Sequence, residues 1–221
     1  MSDIQSIFSN AFLRQRTDVF VAVGVIAVVL MLIIPLPTVI LDSLMALNLV
    51  VSLLAILIVL YIRSALEFSV FPTLLLVFTV FGLALNVSST RLILAQGENF
   101  GGQIVRAFSE FVVGTGGTEG LVIGIIIFII IVAVQFVVIT KGATRVAEVA
   151  ARFTLDSLPG KQMAIEAEYN SGAITEEEAQ KRKLDLEREV DFYGAMDGAS
   201  KFVSGNVRVG ILITVVNIVG G

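Results

Sequence analysis

Residues 121–168 read LVIGIIIFIIIVAVQFVVITKGATRVAEVAARFTLDSLPGKQMAIEAE. From Leu121 to Ile139 no charged residue occurs, and all but Gln135 are apolar or glycine. A helix crosses the hydrocarbon of a bilayer with about 20 such residues. At Lys141 the composition changes abruptly, and a charged interval runs from there to about Val207. The stretch therefore marks a membrane boundary, with lipid before it and water after it.

Working outward, three more apolar runs precede this one. The first spans about Val19–Ile40 and carries Pro35 and Pro37 near its far end. Proline lacks a backbone N–H, so the helix is expected to stop or kink near Ile34. The second is Leu44–Ile62, the third Phe68 to about Val87, and the fourth Leu121–Thr140. A fifth begins near Val207 and is still apolar at the last residue, Gly221, which reads as a truncated span. The expected fold is an all-α polytopic membrane protein of at least five transmembrane helices. A small, mainly helical cytoplasmic insertion follows the fourth.

Four divisions follow: an N-terminal cytoplasmic or interfacial segment, 1–18; transmembrane helices 1–4 over 19–140, with an outer loop at 88–120; a charged domain, 141–206; and the start of a fifth helix, 207–221. Lysine and arginine mark the inner side of membrane proteins. With the N-terminus inside, the inner segments hold Arg14, Arg16, Arg63 and the ten basic residues from Lys141 to Arg208. The outer segments hold only Arg91 and Arg106. The N-in topology is therefore preferred, and 141–206 is cytoplasmic.

Composition narrows the chemistry. The 221 residues are 56% hydrophobic and 15% charged, with no Cys, His or Trp. Disulfides and the usual thiolate and imidazole metal ligands are excluded. Nothing points to a cofactor, a metal, an enzyme activity or nucleic-acid binding. The Gly160-Lys161 pair is not a phosphate loop, because Leu155 and Gln162 stand where that motif needs Gly and Ser or Thr.

Within the outer loop, Gln103–Val113 has helical spacing, with Ile104, Ala107, Phe108, Phe111 and Val112 on one side and Arg106 and Glu110 on the other, and reads as a short helix lying at the interface or packed against the spans. Gly114, Gly116, Gly117 and Gly120 then suggest a flexible turn. In the charged interval, Lys141–Phe153 continues the fourth helix, with Val146, Val149, Ala150 and Phe153 on one face. Leu158-Pro159-Gly160 has the form of a turn that ends it. Thr175–Tyr193 is a soluble helix opened by a Thr175/Glu178 capping box. Ala179, Leu186, Val190 and Tyr193 are its inward residues.

Three stretches carry a resemblance: Arg145–Ile165 with its Leu-Pro-Gly-Lys-Gln-Met core, Leu83–Arg91, and Phe192–Val203. Together they resemble the FHIPEP family, the large export-gate proteins of flagellar and virulence type III secretion. Glu166 departs from the usual Asp and Glu168 from the usual Asp or Ala, and Asn206 stands where the family typically has Asp. Asp191 and Ser200 are more similar to the flagellar branch. The resemblance implies a homo-oligomeric ring in the bacterial cytoplasmic membrane that couples proton motive force to export of flagellar proteins. Its implied partners are other membrane components of the export apparatus, the lipid bilayer, and exported proteins with their chaperones. The chaperone complexes dock on a large C-terminal domain that is absent here. Alternatives are a virulence-type export gate, a structural ring with no conduction of its own, and an ordinary secondary transporter. The transporter would need inverted repeats and mid-membrane ionisable residues, which the chain lacks.

Candidate residues divide in two. Asp42, between the first two spans, reads as a helix cap or as a relay carboxylate. Arg91, just past the third span, reads as a snorkelling anchor or a pathway residue. With Asp156, Lys161, Asp197 and Lys201 they form the proton or gating candidates. Arg145, Glu148, Arg152, Pro159 and Gly160 are the family-signature or interface candidates. Asn48, Gln135 and Asn217 are polar residues within spans, suited to joining helices.

Overall fold

The computed structural model describes residues 23–24, 26–114 and 117–220. The described residues form helices joined by short turns. A first helix, α1, runs over residues 26–33 and breaks across 34–37. Its predicted start near Val19 and the segment 1–18 lie outside the described residues. The break falls at Pro35 and Pro37, as their missing N–H groups require. The remaining long helices are α2 (Thr38–Tyr61), α3 (Phe71–Gln96), α4 (Gln103–Val113), α5 (Gly117–Val134), α6 (Thr144–Asn170) and α7 (Glu176–Gly220). A π-helical segment, Gln135–Ala143, joins α5 to α6 without interruption.

Four helices among the described residues are long and apolar enough to cross a membrane. The 24 residues of α2 extend about 36 Å at 1.5 Å per residue. None of its most apolar window is buried in the protein. Such a surface needs lipid, so the chain is an all-α, multi-pass membrane protein. The helices from Gly120 to Asn170 and from Glu176 to Gly220 contain 51 and 45 residues. Each is more than twice the length that about 30 Å of hydrocarbon takes up. Their charged halves therefore stand outside the membrane as an antiparallel hairpin.

Mostly small residues line the hairpin seam: Ala151 on α6 and Ala179 and Ala199 on α7 are buried, together with the larger Leu186. Ala179 and Leu186 face inward as the sequence predicts. The face chosen on α6 is different. Val146 and Phe153 are exposed, and the helix buries Ala151 instead, because a small residue lets α7 approach closely.

The turn expected at Leu158-Pro159-Gly160 does not form, and α6 runs through it to Asn170. Pro159 removes the hydrogen bond to the Leu155 carbonyl. Both residues lie on the exposed side of α6, where water can serve that carbonyl. The real stop is Gly172, at φ 74°. Its N–H bonds the Tyr169 carbonyl, and the Ala173 N–H bonds the Glu168 carbonyl. These are the two bonds of a Schellman cap, and the left-handed position favours glycine. Thr175 then opens α7, its Oγ1 accepting from the Glu178 N–H at 3.3 Å. The separate helix Thr175–Tyr193 and the fifth run from Val207 are one continuous helix.

Two further boundaries move. The second span begins at Thr38 rather than Leu44, and the third extends to Gln96 rather than Val87. Ser88–Gln96 is thus helix and not outer loop. Gln103–Val113 is helical as predicted, and Gly114, at φ 83°, ends it. Gly117 and Gly120 belong to α5 rather than to a flexible turn, and Gly116 lies outside the described residues.

Buried apolar residues gather where α1 breaks. Met31, Leu41, Ala84, Leu85, Leu92 and Phe100 form one core there, drawn from α1, α2, α3 and the approach to α4.

Candidate functional site

At the break, an intact helix would bond the Met31 carbonyl to the N–H of residue 35 and the Ile33 carbonyl to that of residue 37. Both positions are proline. The two carbonyls that lose their donors are served by α3. Ser88 Oγ donates to the Met31 carbonyl at 2.8 Å, and Arg91 Nη1 to the Ile33 carbonyl at 2.9 Å. A spacing of three residues on α3 matches the two-residue spacing of the carbonyls, because residues i and i+3 share a helix face.

Arg91 thus lies inside α3 and not beyond it, which corrects its expected place after the span. Its Nε and Nη2 are buried and find no hydrogen-bond partner among the described residues. It edges a shallow, open groove lined otherwise by Val87, Thr90, Leu94, Ala95 and Ile213. Beside it, Asn217 Nδ2 donates to Thr90 Oγ1 at 3.1 Å and ties α7 to α3. Asn217 therefore joins helices as its position within a span suggested.

Asp42 is a helix cap, but of another helix. It stands in the second turn of α2, past the start of that helix at Thr38. Its Oδ2 accepts from the Gln103 N–H at 2.8 Å, and its Oδ1 from the Ile104 N–H at 3.3 Å. These are free donors at the N-terminus of α4, where a carboxylate also meets the positive end of the helix dipole. Asp42 and Arg91 therefore frame the same end of the bundle. Each uses its charge on backbone groups of a neighbouring segment.

The hairpin candidates behave differently. Arg145 pairs with Glu148 at 2.9 Å, and Arg152 with Asp156 at 3.6 Å, both along α6. Lys161 reaches across to Glu189 on α7 at 3.0 Å. Lys183 joins Glu166 at 3.0 Å, and Arg182 joins Glu168 and Glu178 at 2.7 Å each. The hydrogen bond to Glu178 is the main cause that raises the Arg182 pKa. Lys201 donates to Asp197 at 2.7 Å, and that bond with its charge holds the ammonium above its ordinary pKa. Asp197 Oδ1 is buried without a hydrogen-bond partner among the described residues. Pro159 and Gly160 are exposed on α6.

The hairpin charges form separate pairs along its length, apart from the Glu168–Arg182–Glu178 triad. Sequence reasoning missed Ser88, Glu189, and the Ser204 Oγ to Thr140 carbonyl bond of 3.3 Å at the π-helical segment. The proline spacing was the signal for Ser88, since it names the two carbonyls needing donors. Nothing local points to Glu189, 28 residues from Lys161.

The FHIPEP family pattern matches residues 28–221. The chain belongs to the FHIPEP family. It is similar to flagellar biosynthesis protein FlhA of Borreliella burgdorferi, with 67% identity over 98% of this chain and 31% of that protein. The FlhA of Treponema pallidum is 64% identical over 93% of this chain and 29% of that protein. Low calcium response locus protein D of Yersinia pestis is 50% identical over 94% of this chain and 29% of that protein. This FHIPEP chain therefore spans less than a third of the length of the curated relatives it matches. No solved structure matches it.

Proposed function

We propose that the chain is the membrane portion of a flagellar type III export gate, located in the bacterial inner membrane with its N-terminus and hairpin in the cytoplasm. The observation that carries this reading is the 67% identity to a flagellar biosynthesis protein over nearly the whole chain. The charge distribution supports the orientation, with ten of fifteen basic residues between Lys141 and Arg208. In this reading copies of the chain form a ring, and proton motive force drives export through it. A charge crossing 100 mV releases about 2.3 kcal/mol, so several protons per step supply useful work. Arg91, with two buried nitrogens unpaired among the described residues, and Asp197, with one such oxygen, are the groups best suited to change partners during gating.

The Yersinia relative, at 50%, keeps a virulence-type gate as the second reading. The test is export of flagellar proteins by the full-length protein carrying Asp197→Asn or Lys201→Ala, with ring assembly followed by fluorescent foci. Loss of export with rings intact supports a gating role. Loss of rings makes these interface residues, and unchanged export removes them from the site.

A further inference from the structure

The helix α4, Gln103–Val113, has three distinct sides. At about 100° per residue, Val105 and Val112 share one, Ile104, Phe108 and Phe111 a second, and Arg106 and Glu110 a third, opposite the phenylalanines. The first side faces the protein. Val105 packs against the core at the α1 break. At the helix end Val113, next to the Arg106 side, packs on Gly120 and Gly124 of α5. The aromatic side does not. Phe108 is 65% exposed and Phe111 88%.

Eleven residues are too few to cross a bilayer, but α4 is tied at both ends to helices that do. Asp42 fixes its N-terminus to α2, and Gly114 leads from its C-terminus into α5. It therefore lies level with the ends of the spans. The neighbouring surfaces of α2 and α5 are exposed and apolar, as in Val39, Ile40, Leu121 and Val122, and lipid covers them. The aromatic side is likewise exposed and apolar, at the same end of the bundle.

We infer that α4 is an interfacial lipid anchor. Phe108 and Phe111 insert at the boundary between lipid headgroups and acyl chains, within about 5–10 Å of the surface, while Arg106 and Glu110 face the aqueous side. In a chain without tryptophan, these phenylalanines take the place of an aromatic belt. The inference rests on the membrane architecture and is independent of any role in export.

The absence of Trp and Cys gives a clean test. Phe108→Trp and Phe111→Trp are reconstituted separately in vesicles of phosphatidylethanolamine and phosphatidylglycerol. Their fluorescence is quenched by lipids carrying nitroxides at shallow or deep acyl positions, and by aqueous iodide. Leu54→Trp, on the exposed face of α2, is the deep reference. The expected result is blue-shifted emission from both variants, lost most to the shallow nitroxide. Leu54→Trp is expected to lose most to the deep one. Quenching by iodide with none by lipid nitroxides would overturn the inference, because the face would then be solvated. Protection from all quenchers, with disulfide-linked dimers from Phe111→Cys, would overturn it in favour of a second copy of the chain.

Discussion

The charges at the α1 break and those of the α6–α7 hairpin are chemically alike and are used in opposite ways. At the break, Asp42 and Arg91 bond to backbone groups of a neighbouring segment. In the hairpin, Arg145, Arg152, Lys161 and Lys201 bond to carboxylates, on the same helix or the one beside it. The difference follows from solvent. Where lipid and protein exclude water, an unpaired carbonyl or N–H is expensive, and side chains are held in place to satisfy it. On the hairpin surface water satisfies the backbone ends, and a charge gains little beyond a screened attraction.

The comparison breaks most visibly at Ser88. Ser88→Ala leaves the Met31 carbonyl buried without a donor, an expected loss of about 1–3 kcal/mol. It is read from the midpoint of SDS-driven unfolding in mixed micelles. Adding Pro35→Ala returns an N–H to the position that carbonyl would use, so the double variant should regain most of the loss. A Pro35→Ala background without recovery would remove the orphan-carbonyl explanation. The same logic pairs Arg91→Met with Pro37→Ala.

Asp42 comes next. Asp42→Ala should cost about 1 kcal/mol, the usual size of a lost cap, and should speed amide exchange at Gln103 and Ile104. Asp42→Asn keeps an acceptor and should lose less. Equal exchange in all three proteins would show that α4 does not depend on this carboxylate.

The smallest effects belong to the hairpin. The Lys161 and Glu189 side chains are 44% and 32% exposed. Lys161→Met should change stability by less than about 1 kcal/mol, and the change should shrink in high salt. A larger, salt-insensitive loss would mean that this pair is buried by a neighbour in the assembled state. Lys201 sharpens the point through pH. Its folded pKa is raised above 10.5, so its contribution is complete below that value and disappears as pH rises through the higher one. A thermal midpoint measured across that alkaline range should fall slightly more in the parent than in Lys201→Met.

Much of this was legible in the chain. Apolar runs located the membrane spans, prolines located the break, and the 3.6-residue spacing located α4. Boundaries failed where tertiary packing outweighed a local signal. Pro159-Gly160 has the composition of a turn, yet α6 passes through it because its freed carbonyl faces water and α7 packs along the helix. The exposed Phe153 shows the converse, an apolar residue left outside because Ala151 packs more closely. Asp42 shows how a correct type of role can attach to the wrong element. A carboxylate before an apolar helix resembles its cap, while the N-terminus it serves is 61 residues away.

The sequence by itself determined the all-helical membrane class, the charged projection after Ile139, the break at Pro35 and Pro37, and the family. Each depends on local composition, on period, or on a contiguous motif. Only the tertiary structure decided that Ser88 and Arg91 serve the carbonyls those prolines release, that Asp42 caps α4, and that Lys161 meets Glu189. Hydrogen bonds between distant segments depend on which helix faces come together, and that is set by packing across the whole bundle.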